Sequence, residues 1–386
     1  MDAQQVIRRC RVLAECTEEP GHITRTFLSP PMREAHRLVR GWMEDAGMRV
    51  WVDAAGNMRG ISRDGPRLMI GSHLDTVPHA GAFDGILGVV MGIALAARRP
   101  PCALEVVAFS EEEGVRFGVP FIGSRALVGE PVMDARVIEA IRQFGLDPAK
   151  IPAAEIGADV RGYLEFHIEQ GPVLESRKLP LAVVQAIVGQ CRAEVEFIGR
   201  ASHAGTTPMP GRPDALAAAA RWICRVEEIA FETPGMVATV GRLGVEPGAS
   251  NVIAGRAWAT LDARHSDAST LDEGVGRIEM EAAIVARQRG VAARWERQWN
   301  HNPTPMDARM AGALANAVRA AGYPVHCMAS GAGHDAMIMA RRVPSAMLFL
   351  RSPGGISHHP DESVLPQDVD AALSAGMRFL EAWRPE

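Results

Sequence analysis

At 386 residues with 47% hydrophobic side chains, the chain exceeds one ordinary domain and can bury a large core, so two domains are expected. A formal net charge of −5 without a basic face argues against nucleic acid as a partner. Six cysteines without CxxC spacing, no apolar signal core in MDAQQVIRRC, and no run near the roughly 18 apolar residues of a membrane span together predict a reduced, cytoplasmic protein with no membrane partner.

Helices are predicted over 2–19 and 31–47, the second closed by Gly47. Leu68, Met69 and Ile70 before Gly71 read as a short buried strand. A glycine-rich loop follows, and 86–99, rich in Ala, Leu and Val, reads as a helix. Further strands are predicted over 104–109, 163–169 and 346–350. Strands alternating with helices imply an α/β sheet flanked by helices. The middle of the chain has another rhythm: strand 190–197, helix 214–230, strands 236–243 and 258–264, helix 271–290, strand 291–299. That βαββαβ order is ferredoxin-like. The expected layout is therefore an α/β domain made of 1–185 and 299–386, interrupted by an α+β domain at 186–298, with hinges near Gln185 and Asn300.

Chemistry concentrates where the predicted strands end. GSHLDTV at 71–77 puts His73 two residues before Asp75, a spacing that lets a carboxylate fix the tautomer of a metal-bound imidazole. Asp84 sits between Phe83 and Gly85 just ahead of a helix, where it can approach two cations. Glu111, Glu112 and Glu113 follow a strand, and three adjacent carboxylates repel one another unless cations neutralise them. HIEQGP at 167–172 places His167 on a strand, and His358 follows the strand at 346–350. Carboxyl ends of strands are where α/β sheets form ligand crevices, and His73, His167 and His358 together with the carboxylates near them suit a pair of zinc-like ions. Each piece alone has a plainer reading: a hydrogen-bonded structural histidine, a solvated acidic face, an ordinary turn.

The segments GSHLDTVPHAGAFDGILGV (71–89), FSEEEGVRFGVPFIGSRAL (109–127), HIEQGPVLE (167–175), SHAGTTPMPGRPDALAAAA (202–220), TVGRLGVEPGASNVIAG (239–255), SGAGHDAM (330–337) and GGISHHPDES (354–363) resemble the amidases of hydantoinase/carbamoylase type, within the dinuclear-metal aminopeptidase-like hydrolases. The resemblance implies an aminopeptidase-like catalytic domain with a mixed sheet flanked by helices, and an inserted ferredoxin-like domain serving as lid and dimerisation surface. It implies two divalent ions per subunit, zinc or manganese, with His73 and His167 each on the outer side of one ion, Glu113 and His358 completing the pair, and Asp84 bridging. It implies Glu112 as general base and Asp75 as the carboxylate behind His73. His203 would reach across a homodimer to polarise the scissile carbonyl. Asn251 and Arg264 would clamp a substrate carboxylate, and Gln170 and His334 would line the pocket.

Plainer roles stand beside these: a turn for His203, a salt bridge to Asp262 for Arg264, a structural place beside Asp335 for His334. His359, next to His358, is an alternative ligand by register. Within the family the resemblance is closest to allantoate amidohydrolases, through RTFLSPPM (25–32) and GWMEDAGMRVWVDAAGN (41–57). The expected activity is hydrolysis of the ureido C–N bond of a small carboxylate-bearing substrate. N-carbamoyl-L-amino acids and ureidoglycolate are the near alternatives and a metal-dependent exopeptidase the distant one. Relatives often carry NVIPG where this chain has Ala254 before Gly255, and Asp where it has Glu111; neither change removes a reacting group.

Overall fold

Apolar runs without polar alternation belong in strands covered on both faces. Four such runs form the middle of the larger sheet in this computed structural model, which describes residues 1–384. Ala103–Phe109, Arg67–His73, Val160–Ile168 and Ser345–Leu350 lie in that order, all parallel, with His73 beside Phe109 and His167 beside Phe349. All but one of their residues are buried. An antiparallel hairpin, Arg49–Val52 with Met58–Ile61, extends one side. On the other side Leu181–Ile187 runs antiparallel to Ser345–Leu350 and takes Cys327–Ser330 as a further neighbour. The sheet is thus mixed, with a parallel centre. Neither the hairpin nor Leu181–Ile187 was expected from the sequence. The hairpin turn is organised by Asp53, whose carboxylate accepts from the backbone of Ala55 and Asn57.

The helix Ile86–Ala97 is buried on every side from Ile86 to Ala96, so it needs cover all round. The sheet covers one side, and Ala3–Ala14 and Pro366–Ala382 pack against it as well. The first helix stops at Ala14, five residues short of the prediction. Its end is closed by Arg25, fully buried, whose guanidinium donates to the carbonyls of Leu13 and Cys16 at 2.6 and 2.8 Å and to that of Leu74 at 2.8 Å. None of the six cysteines is paired, and no described helix is long and apolar enough to cross a membrane.

The chain divides into two compact units, Met1–Gln185 with Met306–Glu386, and Ala186–Pro305. In the second unit the strand order is Leu243–Glu246, Arg256–His265, Gly189–Ile198, Ala292–His301, all antiparallel. The helices Ala215–Glu232 and Ala268–Arg289 share one core with alternate residues of the central strands: Cys191, Ala193, Val195 and Phe197, and Ala257, Ala259, Leu261 and Ala263. Trp222 is buried at the middle and donates its indole N–H to the carbonyl of Ile278 at 3.0 Å. This is the ferredoxin-like arrangement that the βαββαβ order implies. The predicted strand over 236–243 is broken into Val237–Thr239 and Leu243–Glu246, because the Arg242 N–H between them bonds to the side-chain hydroxyl of Thr260. A small extra pair, Ser202–His203 with Val252–Ile253, was also not expected.

Candidate metal centre

The parallel centre of the larger sheet delivers its polar residues to one edge. His73 is the last residue of its strand, His167 the last but one of its own, and Glu112 and His358 follow two more strands. Asp84 lies in the loop that leads from His73 to the helix Ile86–Ala97. There Asp84 Oδ1 stands 3.5 Å from His73 Nε2 and 3.2 Å from His167 Nε2, while Oδ2 stands 3.4 Å from His358 Nε2. His358 Nε2 is also 3.4 Å from Glu113 Oε1. These separations exceed those of charge-assisted hydrogen bonds, about 2.7–2.9 Å. They match the roughly 3.3 Å edge between donors sharing a tetrahedral ion with bonds near 2.0–2.1 Å.

The polar atoms fit such an ion. Asp84 Oδ1 and His167 Nε2 are buried and have no hydrogen-bond partner, a costly state for groups that each carry a lone pair. His73 Nδ1 lies 3.0 Å from the Asp75 carbonyl oxygen and His167 Nδ1 lies 3.0 Å from that of Ile168. Only a protonated Nδ1 can use a carbonyl, so in the neutral form both rings turn a lone pair on Nε2 toward Asp84. The site is also short of positive charge. Burial opposes charging of His73 and His167, yet their contacts with Asp75 and Asp84, and with Asp84, raise both above the ordinary imidazole range. Asp84 and Glu113 lift His358 to about 10. Cations entering such a cluster displace protons.

The grouping corrects one expectation. His73 and His167 do not stand on separate sides of Asp84; both lie by the same oxygen, Oδ1, while His358 lies by Oδ2 with Glu113 Oε1 beside it. The reason is topological: their strands are adjacent and parallel, so their ends lie side by side. The register question is also resolved. His359 is exposed and pairs with Asp361, and His358 is the ring that faces Asp84.

Asp75 does more than stand behind His73. Its carboxylate accepts from the backbone N–H of Glu112 at 3.0 Å and of Glu113 at 3.1 Å. The Asp75 carbonyl is closer to His73 than its carboxylate, at 3.0 against 3.3 Å. Glu112 is buried, and that burial, with Glu113 and Asp335 nearby, pushes its carboxyl well above the usual range although His73 opposes it. Glu111 bonds Val115 N and is pushed to about 9 by burial and by Asp75.

Gln170 donates to Asp84 Oδ2 at 2.7 Å, so it steadies the shared carboxylate. His334 is buried, 2.9 Å from Ser330 Oγ and edge-on to His167 with centroids 4.3 Å apart; burial and His167 hold its pKa well below the imidazole range. Two residues given no role from the sequence belong here. Glu362 Oε1 accepts from the backbone of Phe83 and Asp84 at 2.8 and 3.0 Å. Ser357 donates to Asp84 Oδ2 at 2.7 Å. Both lie within the GGISHHPDES segment beside His358, and that proximity was the available signal.

Gly85 sits at φ +67, and a Cβ there would stand 2.4–2.5 Å from the imidazole ring of His73. Gly85→Ala should therefore displace His73, lowering bound metal by more than half while the protein still melts cooperatively. Metal analysis with circular dichroism checks this, and full metal content in the variant contradicts it.

The remaining expected residues lie in the second unit. His203 is exposed and pairs with Val252, and the N–H of Ala204 bonds to the Asn251 carbonyl at 3.0 Å, so His203 and Asn251 are neighbours. They sit by the end of the strand Arg256–His265 where Gly199 N bonds Gly255 O. Arg264 lies eight residues along that strand from Arg256, about 26 Å at 3.3 Å per residue. One chain thus presents Asn251 and Arg264 at opposite ends of a strand. Arg264 Nε lies 2.8 Å from Asp262 Oδ1, and Gln190 and Arg192 also bond Asp262.

Residues 69–382 match the model of peptidase family M20/M25/M40. Allantoate deiminase 2 of Glycine max is 36% identical over 98% of this chain and 89% of its own length. N-carbamoyl-L-amino acid amidohydrolase of Geobacillus stearothermophilus is 36% identical over 100% of this chain and 98% of its own. The crystal structure of a hydantoinase/carbamoylase family amidase from Burkholderia ambifaria aligns with a TM-score of 0.91 at 34% identity, covering 99% of this chain and 97% of that one.

Proposed function

Because the chain belongs to peptidase family M20/M25/M40, and within it to the hydantoinase/carbamoylase amidases, we propose that it hydrolyses the ureido C–N bond of a small carboxylate-bearing substrate, allantoate first among them. It is a hydrolase of C–N bonds, as its relatives are. The observation that carries the reading is the cluster at Asp84, where three imidazoles and Glu113 surround one buried carboxylate with Glu112 buried nearby. N-carbamoyl-L-amino acids remain the second reading, because a relative acting on them is as similar as one acting on allantoate.

Two divalent ions, one held by His73, Asp84 and His167 and one by Asp84, Glu113 and His358, would supply Lewis acidity and lower the pKa of water toward about 7. Zinc and manganese both suit this donor set. Glu112, its backbone fixed by Asp75, takes a proton from the attacking water and returns it to the leaving nitrogen. Gln170 and Ser357 hold Asp84 in place while this happens. From a ureido group and one water the products are ammonia, carbon dioxide and an amine. His203 of a second copy of the chain would donate to the developing oxyanion, with Asn251 beside it. Arg264 would hold the substrate carboxylate with its planar fork, exchanging Asp262 for it. The strand geometry supports a division of labour in which Arg264 comes from one subunit, and Asn251 and His203 from the other. A reduced cytoplasmic setting is consistent with six unpaired cysteines.

An ammonia-release screen of allantoate, ureidoglycolate and several N-carbamoyl-L-amino acids on metal-loaded enzyme tests the substrate. Release from dipeptides alone would refute the ureido reading. For the shared site, equal amounts of His203→Ala and Glu112→Gln subunits are mixed and refolded. Half of the dimers are mixed, each with one complete site of two, so about a quarter of wild-type turnover should return. If the mixture is as inactive as its parents, His203 does not act in trans.

A further inference from the structure

Among the described residues, a set of ligand-type side chains that shares no member with the Asp84 cluster converges in the larger unit. Glu19, His22 and His79 bring three ligand atoms within 4.8 Å of one another. The rings of His22 and His79 stack with centroids 4.1 Å apart and planes inclined by 18°. His79 Nε2 lies 3.0 Å from Glu19 Oε2. All three side chains are exposed, so they can exchange partners and rotate without opening the core.

Their backbones, by contrast, are tied down. Thr17 Oγ1 accepts from the N–H of Glu19 at 3.2 Å and of Thr24 at 3.0 Å, and His22 N closes a turn onto Glu19 O at 3.0 Å. His79 adopts φ +55, a left-handed conformation that is uncommon without glycine. It is kept there by donation of its N–H to Thr24 Oγ1 at 3.1 Å and by Ala80 N bonding Ile23 O at 2.9 Å. Two chain segments remote in sequence are thus pinned side by side, with two imidazoles and a carboxylate gathered within 4.8 Å of one another.

We propose that Glu19, His22 and His79 form a divalent-cation site separate from the Asp84 cluster, taking zinc through two ring nitrogens and one carboxylate oxygen, with water as the fourth ligand. Donors on a tetrahedral zinc ion stand about 3.3 Å apart, a spacing within reach of small rotations of these exposed side chains. His79 lies in the loop between His73 and Asp84, so an ion here braces that loop against residues 17–24 from outside. The proposal does not rest on the ureidohydrolase reading.

The test counts zinc per chain by mass spectrometry of the metal, after equilibrium dialysis of the full chain against micromolar zinc chloride. Wild type is compared with His22→Gln/His79→Gln, and the same pair of changes is made in an Asp84→Asn background. The double variant is expected to hold one zinc fewer per chain in both backgrounds. Glu19→Gln, which keeps the shape of the side chain, is expected to weaken the same uptake. Zinc content unaltered by the two histidine changes in the Asp84→Asn background overturns the proposal, because there the Asp84 cluster cannot mask the count. Failure of the Asp84 reading shows differently, as equal zinc in wild type and in Asp84→Asn alone.

Discussion

Glu112→Gln should lower kcat by about 10²- to 10⁴-fold, the range that a positioned acid–base group contributes, while metal content stays at the wild-type level. The amide keeps the shape of the side chain but cannot carry the proton. Nothing else about the position need change: the backbone of Glu112 is held by Asp75, and the glutamate coming nearest His358 is Glu113. A variant that keeps turnover within tenfold would take the base role away from Glu112. A variant that loses metal would make Glu112 a ligand, which its place with His73 and Glu113 within ligand reach leaves as the competing role.

Asp84→Ala should lose both ions and all measurable turnover, because Asp84 turns one oxygen toward His73 and His167 and the other toward His358. Glu113→Ala removes a ligand from one group only and should leave about half of the metal in place. The contrast between the two variants, read by metal analysis on proteins of equal folded content, decides whether Asp84 is shared. Equal metal loss in both would show that neither group holds an ion without the other. Asp84→Ala also leaves three imidazoles around a hole, whose raised pKa values owe much to that carboxylate. With their anionic partner gone, His73, His167 and His358 should titrate nearer the ordinary imidazole range, a shift visible by proton NMR of metal-free protein.

Much of the site was legible because its parts sit in short segments with unusual composition. His73 with Asp75, the glutamates 111–113 and His167 all lie in or just after apolar runs, and such runs betray a buried parallel strand. Which ligands share an oxygen was not legible. That depends on strand order, and the strands of His73 and His167 are neighbours although 94 positions separate the two residues. The roles of Ser357 and Glu362 were hidden for a similar reason: each acts on residues more than 270 positions away. The hairpin at Arg49–Val52 and the strand Leu181–Ile187 escaped because their runs are short or lie next to another strand with no helix between. In the second unit, βαββαβ patterning was strong enough to give the topology. The distance between Asn251 and Arg264 was not, since adjacency in sequence says nothing about which end of a strand a loop occupies.

The grip of the Asp75 carboxylate on two consecutive amides has a consequence for how this site can vary. It ties the backbones of Glu112 and Glu113, the proposed base and the proposed ligand, to one carboxylate, so neither is re-aimed alone. A new substrate shape cannot be met by shifting Glu112 without dragging Glu113 along. Changes in preference among related enzymes are then channelled away from the reacting centre, toward side chains that touch only the rest of the substrate. An enzyme built this way diversifies at its periphery and stays the same at its heart.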